Sequence, residues 1–178
     1  MGTRLPGLGL HSVVALLGLH VGYTVGVSAG DVFILSEQAQ RFLALQSRSF
    51  ATEFMGCMIG EIRGDTVRID RIAPADVDPS ESTATWVVPK QTCEGAGWAG
   101  TVGMIHSHPS GERCWYHFPG TQVPSSDGVS FLRTPYPVDA ILCGDKVIWI
   151  SRSMVEREIA FLKAGEGSPR VALTTANQ

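Results

Sequence analysis

No cysteine of this chain stands in a Cys-x-x-Cys pair, which excludes a zinc knot built on paired thiolates. Four cysteines are also too few for a disulfide framework. No run of Lys or Arg occurs, and the net charge is -3, so electrostatics give no case for nucleic acid as the main partner. The chain has no internal repeat and no low-complexity block. From Leu5 to Gly30 there is no Asp, Glu, Lys or Arg. Arg4 precedes that run and Val27-Ser28-Ala29 ends it as a small-residue cleavage site, which is the grammar of a secretory signal peptide. The run is also just long enough to span a bilayer, so membrane contact follows only if residues 5–30 form an uncleaved anchor. Its six glycines and two histidines weigh against both readings, and the plain alternative is a weak, non-structural leader or an upstream extension of a cytosolic domain.

What the chain does have is a globular composition: 178 residues, 44% apolar and 17% charged, enough for one domain with its own core. We place that domain at residues 31–164, after an apolar leader (1–30) and before a frayed tail (165–178). Cys57 and Cys143 lie in apolar runs and read as plain core residues. Cys93 and Cys114 lie in loop-like sequence and would be the pair to join in an oxidising compartment.

Hydrophobic periodicity gives the order of elements. Asp31 to Leu35 reads as a short buried strand, with Ser36 as the N-cap of a helix from Glu37 to about Ser47. Phe54 to Gly60 and Thr66 to Ile72 flank the turn Arg63-Gly64-Asp65 and read as a hairpin. A loop-rich stretch over 73–100 contains one short strand near Trp86 to Val88. Thr101 to His106 is a strand, and Asp127 to Leu132 a short helix capped by a serine. Val138 to Cys143 and Lys146 to Ser151 form a second hairpin, and Met154 to Ala164 is expected to be a helix. The order suggests an α+β domain, a single mixed sheet flanked by helices.

The strand Thr101 to His106 runs into His106-Ser107-His108-Pro109. Side chains at i and i+2 of an extended segment point the same way, so both imidazoles can reach one ion. Neutral imidazole is a common zinc ligand, and a catalytic zinc wants a third protein ligand and an open position. Taken alone the pair is more often two exposed loop histidines. Asp127 follows within Pro124-Ser125-Ser126-Asp127, a turn-plus-cap sequence, and its plain reading is a helix cap. Glu53, at the start of an apolar run, reads plainly as an exposed carboxylate.

Together these blocks resemble the JAMM (MPN+) metalloprotease motif, an HxHP segment with a downstream Ser and Asp and an upstream glutamate. Glu53-Phe-Met-Gly56, His106-Ser-His108-Pro109 and Ser125-Ser126-Asp127 appear in the family's order, and Gly103 fits as well. The resemblance covers roughly residues 31–163 and implies the JAMM/MPN fold, a three-layer, cytidine-deaminase-like arrangement. It implies Zn2+ held by His106, His108 and Asp127, with Glu53 as general base and Ser125 as donor to the developing oxyanion. The reaction implied is hydrolysis of an amide or isopeptide bond. The substrate would be a protein or peptide, such as the tail of a ubiquitin-like or sulfur-carrier protein, and the family slightly favours the cytoplasm. The chain departs from the pattern in two ways. Sixteen residues separate His108 from Ser125, so a loop is inserted there. The serine also stands too close to the aspartate, so Ser125 and Ser126 both remain open for the family's role. Trp115, Tyr116 and Phe118 of the inserted loop would line a substrate groove, or the loop packs on its own surface. His117 reads as a loop residue rather than a fourth ligand.

The competing readings are a non-catalytic MPN-like scaffold, a RadC-like DNA-associated protein and a zinc deaminase. The scaffold disagrees with the full set of critical side chains, and the RadC-like reading with the charge balance. The deaminase needs a Pro-Cys-x-x-Cys pair that is absent.

Overall fold

The computed structural model describes residues 32–49 and 52–160. The leader and tail expected from the sequence lie outside them. Among the described residues no helix is long and apolar enough to cross a membrane.

Among the described residues, seven strands and two helices form an α+β domain around one mixed sheet. In chain order these are β1 (Val32–Leu35), α1 (Glu37–Ser49), β2 (Met55–Arg63), β3 (Thr66–Pro74), β4 (Thr101–His108), α2 (Ser126–Arg133), β5 (Val138–Cys143), β6 (Lys146–Ser151) and β7 (Glu156–Ala160). Across the sheet the order is β1-β3-β2-β4-β5-β6-β7. β1 with β3 and β4 with β5 are parallel, and the remaining pairs are antiparallel. Both expected hairpins form. The first turns at Gly64, whose φ of 60° lies in the left-handed region that glycine enters without a Cβ penalty.

The sheet divides the molecule into two cores because strand side chains alternate. Val138, Ala140 and Leu142 of β5 point toward α1 and join Phe33, Leu43 and Trp149. Ile141 and Cys143 point the other way and join Tyr116, Phe131 of α2 and Ile150. A third cluster on Cys57, Cys93, Met104 and Tyr136 packs the long connection after β3. One layer is therefore α1, the next the sheet, and the third α2 with the loops.

Three expectations change. Met154 to Ala160, the described part of the segment expected as a helix, is not helical: Glu156–Ala160 pairs with β6 as an edge strand, and residues 161–164 lie outside the described residues. Lys146 reaches Glu158 at 2.9 Å across that pair, and the Arg157 guanidinium lies over the Trp149 ring at 5.2 Å. These cross-strand partners decide the conformation where local propensity is indifferent. The strand expected near Trp86 reduces to isolated bridges, Thr83 with Trp86 and Val77 with Pro89. The cysteines pair as Cys57–Cys93 and Cys114–Cys143, with no free thiol among the described residues. Each loop cysteine bonds a buried strand cysteine, so Cys93–Cys114 is not the link and Cys57 and Cys143 are not plain core residues.

Candidate metal centre

β4 is a central strand whose residues from Gly103 to Ser107 are buried or partly buried, so its last turn of alternation is held rigidly. His106 and His108 emerge on the α2 side, with ring centroids 5.1 Å apart. Ser107 between them faces the opposite way. Its amide donates to the Phe54 carbonyl at 3.0 Å and its hydroxyl accepts from the Phe54 amide at 3.0 Å. That double link fastens the residue after Glu53 to the histidine strand. The Glu53 amide donates to the Ala84 carbonyl at 2.9 Å, which holds the other side.

Asp127 arrives from α2. Ser125 is the N-cap of this helix: its hydroxyl accepts from the Gly128 amide at 3.2 Å. The same hydroxyl donates to the Trp115 carbonyl at 2.7 Å. The proton expected to serve a developing oxyanion is thus directed at Trp115, and such service requires that bond to exchange. Ser126 is exposed on the cleft wall.

One ligand atom each from His106, His108 and Asp127 lies within 4.8 Å of the others. Asp127 stands 3.7 Å from His106 Nε2 and 3.6 Å from His108 Nε2, and Glu53 stands 4.0 Å from His108 Nε2. None of these is a hydrogen bond. The side chains are only 11% to 14% exposed. His108 Nδ1 lies 3.0 Å from the Glu112 carbonyl, which can only accept, so Nδ1 carries the proton and Nε2 presents its lone pair inward. His106 Nε2 is buried with no hydrogen-bond partner. An orphaned imidazole nitrogen beside a second inward nitrogen and a carboxylate oxygen is a donor set that fits zinc, with room for a further ligand. The cleft around it has a volume of about 920 Å³ and is walled by Trp86, Pro109, Trp115 and Phe118 among others.

The electrostatics follow from burial in company. Burial raises the Glu53 pKa above the ordinary carboxylate value, opposed by His106 and reinforced by Asp127. Burial pushes His106 down, but Asp127, Asp139 and Glu53 outweigh it and its pKa is raised. Burial and the charge of His106 lower His108. For Asp127, burial raises the pKa, but the two histidines outweigh it and the carboxyl is held below its usual range.

Of the three aromatic residues expected to line a groove, Trp115 and Phe118 do face the cleft. Tyr116 differs: it is 0% exposed, packs edge-on against Phe131, and donates its hydroxyl to Asp139 at 2.9 Å. Its side chain therefore supplies no groove surface. His117 bridges to Pro124 within the loop. Asp139 was not expected in the site. It is 7% exposed, lies on β5 facing the histidines' side, and also borders the cleft. Burial raises its pKa to about 7, against the opposing pull of His106 and the Tyr116 hydroxyl. A lone acid inside the otherwise apolar run Val138 to Cys143 was the signal that could have found it.

Residues 35–115 match the family model described as prokaryotic homologs of the JAB domain. The match contains Glu53, His106 and His108 and stops before Ser125 and Asp127. No curated protein matches the chain. Among solved structures, the chain is similar to protein DSY2949 from Desulfitobacterium hafniense, determined in solution. The two share 18% identity with a TM-score of 0.43, covering 73% of this chain and 91% of the other.

Proposed function

We propose that this chain, which matches the family of prokaryotic JAB-domain homologs over residues 35–115, is a zinc-dependent peptidase hydrolysing an amide or isopeptide bond. The observation that carries the reading is the cluster of His106, His108 and Asp127 within 4.8 Å, with Glu53 beside it at 4.0 Å from His108. When bound, zinc would supply Lewis acidity, making water a nucleophile near neutral pH and polarising a carbonyl.

His106, His108 and Asp127 would hold the ion through two nitrogens and one oxygen. Glu53, raised in pKa by burial, takes the proton from the attacking water as oxygen bonds to the carbonyl carbon. It returns that proton to the amine nitrogen as the carbon–nitrogen bond breaks. Trp115 and Phe118 offer apolar contact to an extended chain laid along the cleft. A protein tail, such as that of a ubiquitin-like or sulfur-carrier protein, is the substrate we favour.

The test pairs metal content with cleavage of a panel of ubiquitin-like and sulfur-carrier fusions. Wild type should bind one zinc per chain and cleave. Glu53→Gln should keep the zinc and lose at least about 100-fold in rate, the scale of a general base. His108→Ala should lose both. Wild-type protein that binds no zinc, or Glu53→Gln that cleaves like wild type, refutes the proposal.

A further inference from the structure

The inserted loop between β4 and α2 reaches the residues that flank the candidate metal centre through Tyr116. Its hydroxyl donates to Asp139 on β5 at 2.9 Å, its amide donates to Glu156 on β7 at 2.7 Å, and its carbonyl accepts from the Ser125 amide at 2.8 Å. The preceding carbonyl, of Trp115, accepts the Ser125 hydroxyl. Gly128, in the first turn of α2, lies so close that a Cβ there would stand 2.2 Å from the Tyr116 carbonyl oxygen. Two residues before Tyr116, Cys114 is bonded to Cys143, and Cys143 is the β5 partner of His108 in the sheet register.

We propose that Tyr116 is a positioning residue for the metal centre: anchored to Asp139 and locked by Cys114–Cys143, it fixes Ser125 and hence Asp127 opposite the histidines. The proposal rests on the metal-centre reading above and gives the insertion a role different from a substrate wall. The chain of contacts is continuous. Asp139 holds the ring, the ring holds its backbone, the backbone holds the α2 cap, and Asp127 follows two residues later. The bridge fixes the same backbone two residues earlier, at Cys114. Free of both anchors, α2 would lose the surface its first turn rests on.

The experiment measures zinc affinity by competition with a chromophoric chelator, well below each variant's melting temperature, alongside the melting temperature itself. Tyr116→Phe keeps the packing against Phe131 and removes only the hydroxyl. It should weaken zinc binding by roughly 10–100-fold, the range for losing a supporting hydrogen bond around a metal site. The double variant Cys114→Ser/Cys143→Ser should weaken it as well. Cys57→Ser/Cys93→Ser, which breaks a bridge of similar span, should melt lower yet bind zinc like wild type. A merely structural Tyr116 would lower the melting temperature and leave affinity unchanged, and that result overturns the proposal. Zinc binding by wild type with unchanged affinity in Tyr116→Phe sinks the positioning role alone. No zinc binding by wild type sinks both readings.

Discussion

Reduction of the two disulfides should cost this protein a large part of its stability, and the size of the effect follows from where the bridges sit. Cys57–Cys93 closes a sequence separation of 36 and Cys114–Cys143 one of 29. Cross-linking loops of that length removes unfolded-state entropy worth about 3.5 kcal/mol per bridge in the chain-entropy account. Native domains hold only about 5–15 kcal/mol in all. For a domain of this size 1 kcal/mol moves the midpoint by about 3–5 °C, so each bridge should be worth about 10–18 °C. Differential scanning fluorimetry on oxidised protein and on protein treated with a phosphine reductant reads this directly. Peptide mapping without reduction identifies the pairs. Linked peptides carrying Cys93 and Cys114 would refute the pairing. A midpoint unmoved by reduction, with both bridges verified beforehand, would refute the energetic reasoning.

Two further outcomes are expected. Asp139, with a folded pKa of about 7 against an ordinary 3.8, holds a proton in the native state that the unfolded chain gives up. Its contribution is fully present below about pH 4 and is lost as pH rises through about 7, by at most about 4 kcal/mol. Asp139→Asn keeps an acceptor for the Tyr116 hydroxyl and should remove that slope. Urea unfolding of metal-free wild type and variant at pH 5 and pH 8 checks it, and parallel pH dependences would count against a protonated Asp139. Zinc in thousandfold excess over its dissociation constant should stabilise the fold by about 4 kcal/mol, so a chelator should lower the melting temperature and added zinc restore it. Equal chelator sensitivity in His106→Ala would place the effect elsewhere.

The parts of the fold legible in the sequence were those decided by local pattern. The hairpin of Val138–Cys143 and Lys146–Ser151 has its bounds written in two apolar runs around Gly144-Asp145. The helix from Glu37 is announced by Ser36, whose hydroxyl accepts from the Ala39 amide at 3.1 Å. The segment after Met154 was misread because Ile159 and Leu162 sit at a helical spacing, while the strand depends on Lys146, Val147 and Trp149, which the spacing does not contain. Four cysteines allow three connectivities, and only the sheet brings Cys57 beside the Cys93 loop and Cys143 beside Cys114. In the candidate site the histidine pair was legible from two-residue alternation, and Asp127 from the resemblance's downstream Ser and Asp, as the one acid between Ser125 and Pro137. Asp139 was passed over because a strand pattern reports which face a residue occupies, not what waits there.

The distribution of rigidity explains why an insertion would sit where it does. His106 and His108 belong to a strand paired on both sides, so their places are fixed by the sheet. Asp127 belongs to an eight-residue helix with only Gly128 and Phe131 buried. A helix that short does not hold itself, and its stability must come from tertiary anchoring. Arg152 supplies some at the far end, lying over the Phe131 ring at 4.2 Å and donating to its carbonyl at 3.3 Å. At the end that carries Asp127, the anchors are Trp115 and Tyr116. The weakest-held member of the candidate ligand set is therefore the one served by the inserted loop, and the loop is itself held by a disulfide, a buried carboxylate and the edge strand. Lengthening the path from His108 to Ser125 costs little closure entropy, and what it adds is a backbone that α2 can rest on.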